Sequence, residues 1–415
     1  MINVEKKEWP ALLGSFAYFF CLLCAYYIIR PVRDEMGILI GTEKLSQLFT
    51  VVFFVMLALT PVFGWLITRF PRSLTLPLVY AFFALNLLGF WGLFAQNAKD
   101  KDVATVFYVW VSVFNLFAVS VFWSFMVDLW DEPQSKRLFG IIAAGGTSGA
   151  LLGPIITASL VKNIGVANLL PISALFLCGC IAALLYLSSW ARRHGTAKAK
   201  EEKALGGGIL DGLKLVLQKP LLLWMCALLL LMAIAGTLMY FEQQRLVAKA
   251  FSSSTERTQY FAQLDLVTNA VVLLVEIFFT SQVMKRFGLL PALLALPVLT
   301  VVGFIWLAVN PALFVIATLL VLRRAAEYAL AKPAREVLFT VLSKEEKYKA
   351  KNVIDTVVHR AGDATGAWLS TALKTLAPST GEVAAMLTPV GLVSCGVAWY
   401  LARAHELKQR DASAP

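Results

Sequence analysis

The segment TVVHRAGDATGAW (residues 356–368) sets His359, Arg360 and Asp363 within an apolar run, with Asp355 one residue upstream. Asp355, His359 and Asp363 recur at every fourth position, so a helix would carry them on one face, with Arg360 at its border. Acid, imidazole and acid beside a guanidinium can hold an anion or pass a proton, and can equally neutralise one another as an internal network. Similar company gathers elsewhere. CAYYIIRPVRDEMG (24–37) places Arg30, Arg33, Asp34 and Glu35 around Pro31, and Glu242 and Arg245 close another apolar run. Asp265, Asn269 and Glu276 share a helical stripe at spacings of four and seven. Arg323 and Arg324 lie four and three residues before Glu327, where either can pair with it; Lys332, Arg335 and Glu336 follow around Pro333.

The elements that must carry these groups are set by composition. Of 415 residues, 59% are hydrophobic and only 15% charged, against about 45–50% and about 25% in soluble domains; the mean hydropathy is +0.73. We expect an all-α polytopic membrane protein. Twelve apolar segments approach the roughly 20 residues that a bilayer helix needs. They lie near 10–29, 46–67, 74–95, 103–127, 138–160, 168–190, 220–243, 259–283, 289–309, 311–331, 352–376 and 384–402. A charge at the centre of such a helix costs about 2.5–3.5 kcal/mol on insertion scales, so the ionisable residues above are candidates for function.

The net charge of +11 is a matter of topology. Well over half of the 37 Lys and Arg fall in the even-numbered loops and termini and far fewer on the opposite face, which places both termini in the cytoplasm of an inner (plasma) membrane. No nucleic-acid partner is expected. All six cysteines lie in apolar helices, where they act as small hydrophobes, so neither metal nor redox cofactor is expected. Of three histidines, His194 and His405 fall in hydrophilic segments, and no nucleophile elbow or phosphate-cradling loop is present, so the chain is not expected to be an enzyme. MINVEKKEWP precedes the first helix without a small-residue cleavage site, and that helix is expected to be retained.

The polar connector 191–219, rich in Lys, Glu and Gly, divides the spans six and six. It separates an N-terminal bundle (1–190) from a C-terminal bundle (220–403) and a cytoplasmic tail (404–415). The halves echo each other. Arg69-Phe70 recurs 217 residues later as Arg286-Phe287, and Gly145, Gly149 and Gly153 map at that offset onto Gly362, Gly366 and Ser370. Small residues at every fourth position let helices approach closely in lipid. Parallel six-helix repeats are the architecture of major-facilitator transporters, whose sites lie near the midplane. GWLITRFPRS (64–73) also resembles that superfamily's signature loop after helix two, with Gly64 and the basic residues present but Thr68 where an aspartate is usual.

MINVEKKEWPALLGSFAYFFCLLCAYYIIRPVRDEMG, with its Arg33-Asp34 pair, resembles the opening of the ATP/ADP translocases of plastids and intracellular bacteria. FWSFMVDLWDEPQSKRLFGIIAAGG (122–146) is similar to that family's fourth-to-fifth helix connection. KEEKYKAKNVIDTVVHRAGDATGA (344–367) is similar to its tenth-to-eleventh, matching Lys351, Asp355 and Gly362. The resemblance implies a twelve-helix exchanger that trades nucleotides across a membrane without hydrolysing them. Two positions depart from the pattern: Asp363 stands where a lysine often follows the glycine, and Val111, near Asn115, where a glutamate is common.

The leading expectation is a monomeric secondary transporter with a cavity lined by spans one, four, seven, eight, ten and eleven. The candidate solute-binding set is Arg30, Arg33, Asp34, Arg245, Arg324 and Arg360, because the guanidinium fork suits phosphate and carboxylate. Asp265, Glu276, Glu327, His359 and Asp363 form the candidate coupling or gating set, and Arg69, Arg286, Lys351 and Asp355 the cytoplasmic loop or gate set. A transport-inactive sensor on the same fold and a membrane-embedded transferase are the alternatives.

Overall fold

Helix boundaries follow from prolines, caps and glycines. Asp100 accepts from the backbone N–H groups of Asp102 and Val103 and starts one helix. Asp131 and Gln134, on either side of Pro133, form a reciprocal capping box and start the next, which ends where Gly165 takes a φ of 80°. A computed structural model describes residues 4–69, 72–194, 209–278, 286, 288–343, 346, 350–351, 353–377 and 379–413, with backbone alone at 63–69, 72–74, 209–213, 355–356 and 408–413.

Every regular element among the described residues is helical. In order they are α1 (Trp9–Ile40), α2 (Leu45–Arg69), α3 (Arg72–Gln96), α4 (Lys101–Leu129), α5 (Glu132–Ile164), α6 (Leu169–His194) and the short α7 (Ile209–Gln218). Then come α8 (Pro220–Ala250), α9 (Ser254–Phe278), α10 (Leu289–Val309), α11 (Leu313–Ala326), α12 (Lys332–Leu338), α13 (His359–Leu376) and α14 (Thr380–Ser413). A π turn, Glu327–Ala331, joins α11 to α12, and a second, Val353–Val358, leads into α13.

Ten of these helices are long and apolar enough to cross a membrane. The segments expected to span at 311–331 and 352–376 do not reach that standard. They are the ones divided by π turns, and they hold Arg323, Arg324, Glu327, His359, Arg360 and Asp363. The ionisable groups and the irregular backbone therefore coincide, as is frequent at functional sites. At the C-terminus, residues 404–413 continue α14 as helix.

The chain forms two compact units. One comprises Met1–Thr42, Phe54–Glu201 and Phe251–Asn269; the other comprises Glu43–Phe53, Glu202–Ala250 and Ala270–Pro415. α2 thus begins in the second unit and passes into the first, while α9 does the reverse. In the first unit α1 is the central helix, packed on α4, α5 and α6. Its Tyr18 hydroxyl donates to Tyr80 at 2.8 Å, and its Phe19 stacks on Phe122 at 4.1 Å. In the second unit α8 packs on α13 and α14, and α10 on α14 and α11.

The glycine ladders are the closest seams. A Cβ at Gly145, Gly149 or Gly153 on α5 would stand 2.5, 2.2 and 2.8 Å from the carbonyl oxygens of Phe16, Phe20 and Cys24 on α1. On α13, a Cβ at Gly362 would stand 2.6 Å from the Ala233 Cβ of α8, and one at Gly366 3.0 Å from Ile234 Cα. The offset of 217 therefore relates α1–α5 to α8–α13 as close-packed pairs. Gly149→Ala is expected to lower stability by about 1–3 kcal/mol, because the obstacle is backbone that cannot rotate away. Thermal unfolding in detergent would measure it, with Gly140→Ala, where nothing lies within 4 Å, as the control.

Candidate functional site

Two ionic clusters are assembled, one in each unit. In the first unit Pro31 lies inside α1, among the charged residues. Arg30 Nη1 donates to Asp265 Oδ1 on α9 at 2.6 Å, and its guanidinium lies 5.7 Å from the Tyr27 ring centroid. Arg33 Nη2 donates to the Tyr108 hydroxyl at 3.0 Å and rests 4.4 Å from that ring's centroid. Asp34 is buried beside them. Glu35, with no exposed surface, accepts from Arg257 Nε at 2.6 Å and Nη2 at 2.8 Å. Arg257 Nη1 also donates to the carbonyls of Phe251 and Ser252. Farther along α9, Asn269 donates to the Ala150 carbonyl at 2.7 Å, while Gln259 donates to that of Ala158 at 3.0 Å.

In the second unit the cluster spans α8, α11 and α13. Thr237 donates to Asp363 Oδ1 at 3.2 Å, and Asp363 Oδ2 lies 3.4 Å from both His359 Nδ1 and Arg360 Nη1. The Asp363 side chain is 18% exposed, whereas those of His359 and Arg360 are 39% and 35% exposed. Arg323 turns the other way. Its Nη2 donates to the Met232 carbonyl at 2.6 Å, against Gly236, and its Nη1 approaches Glu327 Oε2 at 3.4 Å. Arg324 is half-buried next to it. Lys332 lies 5.4 Å from the Tyr328 ring centroid, one helical turn past Glu327.

Other predicted residues sit apart from these groups. Arg245 pairs with Glu242 and donates to Ser370 Oγ at 3.0 Å, and Glu242 accepts from Thr380 at 2.7 Å; this network is nearly dry. Glu276 is exposed on the part of α9 that belongs to the second unit. Arg286 is exposed, and Lys351 pairs with Glu336. The side chains of Arg69 and Asp355 lie outside the described residues, as do Phe70 and Phe287. Lys219 pairs with Glu346, whose carboxyl that bond holds below the usual carboxylate range. At the start of α1, burial opposes ionisation of Glu8. Hydrogen bonds from Arg137, the Glu5 N–H and Gln134 outweigh it and hold the carboxyl below its usual range.

Sequence reasoning missed Arg257, Tyr108, Thr237 and Gln259 as partners in these clusters. All four meet residues more than 70 positions away in the chain, and only Thr237, a small hydroxyl in the apolar run of α8, offered a local signal. Among the described residues, no group of three or more His, Cys, Asp or Glu gathers to hold a metal.

Residues 11–326 match the model of the Major Facilitator Superfamily. Over 95% of its length the chain is 24% identical to ADP,ATP carrier protein 1 of Chlamydia trachomatis, spanning 88% of that protein. Over 97% of its length it is 21% identical to ADP,ATP carrier protein 2, chloroplastic, of Arabidopsis thaliana, spanning 75% of it. Two solved structures share the fold. The nucleoside transporter NupG matches with a TM-score of 0.65 at 14% identity, over 97% of this chain and 99% of that one. A bacterial homologue of the iron transporter ferroportin in its inward-facing state matches with a TM-score of 0.65 at 14% identity, over the same shares. These relatives are transporters and not enzymes.

Proposed function

The chain belongs to the Major Facilitator Superfamily, and from that premise we propose that it is a secondary transporter of a small anionic or zwitterionic solute, working by alternating access. Nucleotide exchange is the most specific form of this reading; the likeness to ADP,ATP carriers supports it. Twelve spans in two six-helix bundles, both termini cytoplasmic in the inner membrane, complete the reading. The observation that carries it is the state of Arg360. Its guanidinium is a third exposed and makes one long approach, to an Asp363 carboxylate that Thr237 and His359 also hold. Most of its five donors thus remain for a phosphate or carboxylate.

In this reading Arg33, Arg324 and Arg360 hold solute charge, with Arg30, Asp34 and Arg245 as further members of the binding set. Glu327, His359 and Asp363 serve coupling or gating, with Asp265 and Glu276. The energy source is an ion gradient or counter-exchange.

The test is counterflow. Purified protein in proteoliposomes loaded with ADP is expected to take up labelled ATP faster than protein-free vesicles or vesicles loaded with buffer alone. ATP and ADP binding in detergent without any such flux would replace transport with the sensor reading. Uptake of a different anion by the same vesicles would keep the carrier and change the solute.

A further inference from the structure

Arg30 belongs to the solute-binding set, yet a carboxylate already occupies it: Asp265, at 2.6 Å. That carboxylate sits on α9, whose first part belongs to the unit built around α1 and α5. Side chains hold this stretch at four places along its length. Arg257 meets Glu35 at its beginning, Gln259 meets the Ala158 carbonyl, Asp265 meets Arg30, and Asn269 meets the Ala150 carbonyl. The two ionic anchors are not equal. Arg257 gives Glu35 two hydrogen bonds and spends a further nitrogen on the carbonyls of Phe251 and Ser252. Arg30 meets Asp265 through Nη1 alone. An incoming anion must outdo a single bond at Arg30, and a bidentate, carbonyl-braced pair at Arg257.

The start of α2 is the counterpart of this stretch in the sequence repeat, and it is held by different means. Phe49 packs on Tyr240 and Phe241, and Trp368 Nε1 donates to Thr50 at 2.9 Å. Aromatic packing of that kind is indifferent to anions. Only the α9 side of the repeat places a carboxylate where a solute's own anionic group would go.

We propose that Asp265 is a tethered stand-in for the solute. A solute phosphate or carboxylate takes the Arg30 guanidinium from Asp265, and loss of that bond loosens α9 from Ala262 to Thr268 against α1, while Arg257 stays pinned to Glu35 as the pivot and Asn269 stays on the Ala150 carbonyl. Arg30 remains neutralised throughout, because one anion replaces another, and the displaced carboxylate passes to water as the helix lifts. Asp265 is thus a positioning residue that ties occupancy of the site to movement of one helix. This rests on the reading of Arg30 as a solute-binding group.

The test uses the full chain in detergent carrying Ala262→Cys. Ala262 has no exposed surface and lies three residues before Asp265, on the same face of α9. Reaction with a hydrophilic maleimide is measured against the parent chain, whose six native cysteines give the background. Without any ligand, Asp265→Asn is expected to speed labelling at 262 by about tenfold or more, within the usual span of coupling between sites. Asp265→Glu, which keeps the charge, should label nearly as slowly as the parent. Inorganic phosphate or citrate should speed labelling in the chain that retains Asp265, beyond sodium chloride of equal ionic strength, and should add nothing after Arg30→Gln.

Labelling at the parent rate in Asp265→Asn overturns the latch, and equal labelling in the Glu and Asn variants assigns the effect to shape, which also overturns it. Fast labelling in Asp265→Asn with no response to either anion reduces the pair to a structural contact and overturns the competition. Flux with unresponsive labelling sinks this inference and leaves the transport reading standing. Anion-responsive labelling with no flux does the reverse.

Discussion

Arg360→Ala is expected to cut solute uptake roughly 10- to 150-fold while leaving membrane insertion and unfolding temperature close to those of the parent. The fold-change corresponds to the 1.5–3 kcal/mol that a hydrogen bond to a charged group contributes. The insensitivity of the fold follows from what surrounds the side chain. Arg360 is a third exposed and reaches Asp363 only at 3.4 Å, and its removal leaves that carboxylate with Thr237 and His359. Partly exposed pairs of this kind contribute about 0–1 kcal/mol. Arg323 supplies the contrast one helix away. Its guanidinium is nearly buried and bound to the Met232 carbonyl, so Arg323→Ala is expected to lower the unfolding temperature as well as uptake. Counterflow rates and thermal unfolding on the same preparations separate the two. Parental uptake from Arg360→Ala would assign its cluster to holding the bundle together. Arg360→Lys should recover only part of the rate, since an ammonium lacks the planar fork.

The contrast also shows what kind of information a sequence carries. Arg323 and Arg324 were equivalent by spacing, since both reach Glu327 along a helix. The choice between them comes from Gly236 on α8, which leaves room for one guanidinium to approach the Met232 carbonyl. No count along α11 contains that fact. The glycine ladders, by comparison, could be read directly, because a small residue at every fourth position has one physical use in lipid and the offset of 217 repeats it. The stripe of Asp355, His359 and Asp363 lies between these cases. His359 and Asp363 do meet, but Asp355 falls in the π turn Val353–Val358, where the wider winding suspends the four-residue register. The ionic partners of α1 were the least legible. Glu35 meets Arg257 across 222 residues, and only because α9 starts in the unit built around α1.

That pair is the basis of the largest stability effect expected in the molecule. Glu35→Ala should cost about 3–5 kcal/mol, the loss typical when one partner of a buried ion pair is removed and the other charge stays behind. The geometry supports the upper part of that range. Glu35 has no exposed surface, the Arg257 side chain is 13% exposed, and the two bonds between them are parallel, at 2.6 and 2.8 Å. Much of the cost belongs to the stranded guanidinium and not to the lost attraction. Removing both charges, in Glu35→Leu with Arg257→Met, should therefore recover most of the loss. Unfolding of the two single variants and the double variant in one detergent forms the cycle that isolates the coupling. A double variant no better than Glu35→Ala would mean that shape, and not charge, ties α9 to α1 at this point. Asp265→Asn should cost less than Glu35→Ala, because an asparagine oxygen can still accept from Arg30, whereas alanine deprives Arg257 of both its bonds to Glu35. If the order is reversed, the anchor and the yielding contact have been assigned to the wrong pairs, and the pivot of α9 lies at Arg30.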